Sequence, residues 1–220
     1  MTGNTEKKNG VRVLFPTLIY EAWYPEFSAS ENELVSYVET LRDQDKEGQK
    51  ISAEQYPNGY TSYYTNSSLF NDTKLERLVK FFHQCAQNYA RDHHWDTTNY
   101  QPEMNSLFAN INPKHSFHPE HLHPYSHISG VFYVKSDASS PAIGFKDPRM
   151  ARWMMPPAAD GQRAENSFHA KLAPEPGKLF PFPSWLEHGV AQNQSDRERI
   201  SMSFNFDMPV HYTHLTPPTT

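Results

Sequence analysis

Between His115 and His127 the chain sets five of its twelve histidines, with Glu120 among them, directly ahead of the apolar run Ile128 to Val134. Imidazoles crowded in this way repel one another once protonated, and a metal ion that takes the neutral rings as ligands removes that conflict. His121 and His123 matter most. Residues two apart on an extended chain point to the same side, so both rings can face one ion. A third imidazole, His188, follows 65 positions after His123 in the turn-like text PFPSWLEHGV. Two close histidines and one distant one have metal-site spacing, although the tract alone would also suit a solvated metal-scavenging loop, and His188 alone a turn histidine.

A second kind of chemistry is written into Arg199 to Phe206, where polar and apolar residues alternate strictly. Arg199, Ser201, Ser203 and Asn205 share one face of a strand, and Ile200, Met202, Phe204 and Phe206 share the other. An arginine on an internal strand face is costly unless a carboxylate meets its planar fork, and Ser201 can donate a further hydrogen bond to the same group. That face reads as a receptor for an acid.

The elements that must position these residues are mainly short β segments separated by Pro, Gly, Asn and Asp. They are expected at 104–112, 127–136, 142–145, 167–172, 178–182 and 199–206, a rhythm that argues for a sandwich or jelly roll over a parallel α/β sheet. Ahead of them, Val11 to Trp23 reads as an extended segment interrupted at Pro16, as an edge strand would be. Ser30 with Glu33 suggests a capping box for a first amphipathic helix through Leu34, Val38 and Leu41. Thr73 with Glu76 suggests another, opening the best helix of the chain, with Leu75, Leu78, Val79, Phe82, Ala86 and Tyr89 on one face. Two N-terminal helices are therefore expected to flank the β domain. The tyrosines Tyr60, Tyr63 and Tyr64 read as packing around a turn at Pro57-Asn58-Gly59. Residues 146–166 read as a long loop or lid carrying Asp147, Arg149, Arg152 and Trp153.

With 220 residues, one domain over 11–210 suffices, between a disordered stretch at 1–10 and a tail at 211–220. A net charge of −5 and scattered Lys and Arg give no basic stripe, so neither nucleic acid nor an anionic membrane is expected as a partner. No apolar stretch is long enough to span a bilayer, and the polar start lacks a signal-peptide core, which points to the cytoplasm. The single cysteine, Cys85, forbids an internal disulfide and a cysteine-based zinc set, and reads as a spectator. Any metal must then rest on His, Asp or Glu. The sequence leaves the oligomeric state open, a homodimer included.

Taken together, His121-Leu-His123-Pro-x-Ser126-x-Ile128-Ser129-Gly130-Val131-x-Tyr133-Val134, the Asp147-Pro148-Arg149 loop, Pro183-Ser184-Trp185-Leu186-x-His188 and Arg199-Ile-Ser201 resemble a family of bacterial and phage Fe(II)/2-oxoglutarate-dependent oxygenases. The resemblance covers roughly residues 104–207. It implies a double-stranded β-helix with iron at one open end, held by His121, His123 and His188, and 2-oxoglutarate anchored by Arg199 and Ser201. It also implies oxidation, chiefly hydroxylation, of a substrate C–H bond with release of succinate and CO2; the substrate itself, small molecule or peptide, stays open. Tyr133, Asn110 and Asn205 are candidates for secondary contacts.

One departure stands out. The wider superfamily usually places a carboxylate two residues after the first histidine, whereas this chain has His123. Glu120, in His118-Pro119-Glu120, is the alternative ligand, or else an orienter of a ligand ring. Two other readings compete: a three-histidine cupin-type enzyme without 2-oxoglutarate, and a non-catalytic metal-binding jelly roll. The Arg199-x-Ser201 strand favours the oxygenase.

Overall fold

The computed structural model describes residues 10–156 and 166–210. The expected disorder at 1–10 falls almost wholly outside them, as do the tail and the 157–165 part of the expected lid. Among the described residues ten strands form two antiparallel sheets: β1 (Ala22–Trp23), β2 (Tyr60–Thr61), β3 (Glu103–Asn112), β4 (His118–His121), β5 (Ile128–Lys135), β6 (Ile143–Lys146), β7 (His169–Leu172), β8 (Lys178–Pro183), β9 (His188–Val190) and β10 (Arg199–Asp207). The larger sheet runs β1-β8-β5-β10-β3-β2 and the smaller β4-β9-β6-β7. The expected mainly β jelly roll is present, and each expected segment from 104 onward lies within a residue or two of its strand.

The alternation in β10 decides how the layers stack. Ile200, Met202, Phe204 and Phe206 face the helices, where α3 (Glu76–Asp92) stacks Phe82 on Phe204 at 4.8 Å and meets Phe132 at 5.4 Å. Burying each such ring contributes roughly 2–3 kcal/mol, so this helix is held by its apolar stripe. Gly130 is needed there, since a Cβ would stand 2.1 Å from the Phe204 ring. On the opposite face a smaller core joins the two sheets, with Phe182 edge-on to Phe145 at 5.0 Å. The polar face of β10 looks into this inter-sheet space.

The N-terminal part differs from expectation in three ways. Only Ala22 and Trp23 of the segment 11–23 pair in a sheet, against β8. Upstream of them Val11 and Phe15 stand exposed, because no neighbouring strand offers its edge to residues interrupted by Pro16. The first helix, α1 (Phe27–Gln44), starts before Ser30, whose hydroxyl bonds back to the Glu26 carbonyl at 3.0 Å and so lies inside the helix. A further helix, α2 (Lys46–Gln55), follows at once; Asp45 caps it by accepting from Gly48 N at 2.8 Å. Three flanking α-helices thus replace the expected two. Ahead of α3, Asp72 is the cap of a short 3-10 turn at Thr73–Leu75, in place of the Thr73 capping box. No helix among the described residues is long and apolar enough to cross a membrane. Cys85 is buried on α3, and burial pushes its thiol up to about 12, which fits a spectator.

Candidate active site

His121 ends β4, His188 opens β9, and the two are directly paired across the small sheet. Close approach of these strands depends on Gly189, where a Cβ would lie 2.9 Å from the His118 carbonyl oxygen. His123 follows past Leu122, its backbone N–H donating to the Ser184 carbonyl at 3.0 Å. Ligand nitrogens of His121, His123 and His188 all lie within 4.8 Å of one another. The Nε2 atoms of His121 and His123 are 3.2 Å apart. Two lone pairs that close repel, and a shared cation is the chemistry that reconciles them.

The rings are also set in the right tautomer. Nδ1 of His121 donates to the Pro119 carbonyl at 2.8 Å, and Nδ1 of His188 to the Leu186 carbonyl at 2.9 Å. Each bond leaves Nε2 as a free lone pair aimed at the common centre. Burial pushes His188 down to about 3 and His123 to about 4; repulsion from His121 adds to both, while a hydrogen bond donated by the His123 ring to Asn205 opposes it at His123. His121 is lowered for the same chief reason, burial. The three rings are therefore neutral near pH 7 and ready as ligands.

Behind the histidines, Arg199 is 3 % exposed, with its guanidinium 5.0 Å over the Tyr133 ring. Its Nη1 donates to Asn112 Oδ1 at 3.1 Å, and its Nε has no partner among the described residues. Among the described residues no carboxylate lies within ion-pair distance of it. Asn112 in turn donates from Nδ2 to the Tyr56 hydroxyl at 2.7 Å, and Tyr56 packs edge-on against His118 at 5.0 Å. His118 stacks on His121 at 4.3 Å, held neutral by burial, which lowers it to about 3. A chain of contacts thus runs from the guanidinium to a ring of the histidine cluster.

Ser201 and Ser203 share the inward face of β10 with Arg199, and all three line a chamber of about 40 Å3 together with the histidine cluster. Asn205 accepts from Ser129 Oγ at 2.6 Å and donates to Ser106 Oγ at 2.7 Å. Asn110 donates to Ser203 Oγ at 3.0 Å and lines the same chamber. Glu120 points away from the cluster, accepting from Lys146 at 3.2 Å and facing His169 at 3.1 Å on the outer side. The carbonyl of Pro119, not that carboxylate, orients His121. His127 stands at the surface, its Nδ1 accepting from Met208 N at 3.2 Å. Tyr56 and Asn112 were not singled out by sequence, which carries no signal for a contact between residues 56 positions apart. Tyr63 and Tyr64, read as packing, are more than 40 % exposed at the mouth.

Residues 106–205 match the model of a family described as "Putative 2OG-Fe(II) oxygenase". That stretch is a little under half of the chain, and it is similar to a family whose description names iron(II) and 2-oxoglutarate as cofactors and whose chemistry is that of an oxidoreductase. Solved oxygenases share the jelly roll. A Pseudomonas putida prolyl-4-hydroxylase is 16 % identical, with 87 % of this chain and 92 % of that one covered and a TM-score of 0.56. The epimerase SnoN, in complex with Fe3+, alpha ketoglutarate and nogalamycin RO, is 9 % identical over 87 % and 79 % of the two chains, with a TM-score of 0.60. Against a 2OG-Fe(II) oxygenase family protein of Burkholderia pseudomallei, at 16 % identity and a TM-score of 0.42, 63 % of this chain and 54 % of that one are covered. A comparison with curated proteins found no match.

The donor set fits these cofactors. Three neutral imidazoles suit a divalent first-row metal, and the buried guanidinium without a carboxylate suits a dicarboxylate ligand.

Proposed function

We propose that the chain is a dioxygenase in which His121, His123 and His188 hold Fe(II), while Arg199 and Ser201 hold the distal carboxylate of 2-oxoglutarate. The observation that carries this reading is Arg199: a cation 3 % exposed, facing the histidine chamber, with Nε free. Iron(II) with 2-oxoglutarate supplies O2-dependent oxidation of a substrate C–H bond, releasing succinate and CO2.

The chain's own residues orient and exclude water. The Pro119 and Leu186 carbonyls fix the ring tautomers, Tyr133 and Asn112 hold the guanidinium plane, and Ser201 offers a hydroxyl beside it. With His123 in place of a carboxylate, the ligand set carries no negative charge, so the metal keeps both of its positive charges for the anionic co-substrate. The acidic balance and absence of a basic stripe favour a small-molecule or peptide substrate without nucleic acid or membrane. We take residues 11–210 as the working unit, in a reducing compartment such as the cytoplasm.

Separate His123→Ala and Glu120→Ala variants, assayed for iron stoichiometry, test the ligand set. Iron falls well below one per chain in His123→Ala and stays at one in Glu120→Ala; the reverse pattern would move the second ligand to Glu120.

A further inference from the structure

A cleft of roughly 460 Å3 opens in front of His121 and His123, between the β2 end of the large sheet and β4, the terminal strand of the small one. That volume suits a drug-sized ligand. Among the described residues lining it there is no Asp, Glu, Lys or Arg, although those types make up 20 % of the chain. A charged substrate group entering here would shed its water and meet no side chain of opposite charge, while the two charges of the bound metal would already be matched by the 2-oxoglutarate dianion. The nearby guanidinium of Arg199 lies in the chamber behind the histidines.

One wall is aromatic. Tyr63, 52 % exposed, meets Phe108 edge-on at 5.0 Å and Tyr64 at 5.6 Å. Tyr125, 96 % exposed, closes the rim with a φ of 68°, left-handed backbone that a bulky residue rarely adopts and that clusters at ligand sites. The other wall offers neutral hydrogen-bonding groups. Asn105 donates to Ser126 Oγ at 3.1 Å. Asn110 is 4 % exposed; its Nδ2 is spent on Ser203, and its Oδ1 has no partner among the described residues. A buried acceptor left unpaired costs about 1–3 kcal/mol, which a ligand O–H or N–H would recover.

Resting on the oxygenase reading of the histidines, we propose that this cleft admits an uncharged substrate that lays a ring or hydrocarbon face on the Tyr63 wall and donates a hydrogen bond to Asn110 Oδ1. The shared chemistry is a neutral amide or hydroxyl donor beside an apolar face.

Four probes on one phenyl skeleton test it: phenylacetamide and 2-phenylethanol, which are neutral, and phenylacetate and 2-phenylethylammonium, which are charged. Binding is read by saturation-transfer NMR on protein loaded with 2-oxoglutarate and zinc(II), a diamagnetic substitute for iron. The neutral pair is expected to bind about tenfold or more tightly than the charged pair, and whichever neutral probe binds better identifies the donor as amide or hydroxyl. Tyr63→Ala weakens both neutral probes about fivefold. Asn105→Asp places a carboxylate on the wall and shifts preference toward 2-phenylethylammonium by up to about fivefold. Equal binding of all four, tighter binding of a charged probe, or binding of none overturns the proposal. An anaerobic Fe(II)–2-oxoglutarate charge-transfer band, read on the same protein loaded with Fe(II) in place of zinc(II), separates the two levels. With the band present, lost neutral preference refutes the substrate class alone; an absent band refutes the oxygenase reading beneath it.

Discussion

Replacing Arg199 by leucine should affect co-substrate affinity and stability very differently. In the wild type the guanidinium is 3 % exposed, bonded through one Nη1 to Asn112, laid over Tyr133, and without a carboxylate among the described residues. Removing one member of a buried, hydrogen-bonded charge pair costs about 2–5 kcal/mol of binding. At about 1.4 kcal/mol per decade, the Kd for 2-oxoglutarate should rise at least about thirtyfold. Stability of the co-substrate-free protein follows the opposite logic. An unpaired buried cation exchanged for an apolar side chain is neutral or stabilising by about 1–4 kcal/mol, against which stands a lost cation–π contact of about 2 kcal/mol. The net change is then within about 2 kcal/mol either way, so the midpoint of thermal unfolding should stay within about 8 °C of wild type. Isothermal titration of the metal-loaded protein and a thermal scan read the two quantities. A variant destabilised by more than about 3 kcal/mol that still binds 2-oxoglutarate normally would make Arg199 a structural brace and refute the reasoning.

Tyr56→Phe removes the acceptor of the Asn112 amide and loosens the support of Arg199; one hydrogen bond of about 1 kcal/mol predicts a Kd for 2-oxoglutarate about fivefold higher, with iron stoichiometry unchanged. The metal-free protein should lose stability on acidification. His188, lowered to about 3 from 6.5, is protonated in the unfolded chain but not in the fold across that window, so stability is intact above about 6.5 and declines as pH falls. The loss at pH 5 is about 2 kcal/mol for this ring alone, measurable by urea titration at the two pH values.

The β half of the molecule was legible because its signals are local. Strict alternation in Arg199–Phe206 assigns both faces of β10, and the structure puts Phe204 under the helices and Arg199 in the inter-sheet space. His121 and His188 could be paired from spacing because both lie at strand ends. Three things were not legible. The segment from Val11 has strand-like residues, but pairing needs a partner edge, and only Ala22 and Trp23 find one. The polar text after Leu41 hides α2, whose start is fixed by Asp45 and whose inner face is made by Gly48 and Ser52, residues too small to register as an apolar stripe. Tyr56 reaches Asn112 only because β2 pairs with β3, so its place beside the site is a tertiary fact.

Anaerobic titration of the Fe(II) protein with 2-oxoglutarate, followed in the visible spectrum, tests the central claim most directly. The expected result is a metal-to-ligand charge-transfer band that saturates at one 2-oxoglutarate per chain, vanishes in His188→Ala, and needs far more co-substrate in Arg199→Leu. Stoichiometric iron that gives no band at any 2-oxoglutarate concentration would contradict it.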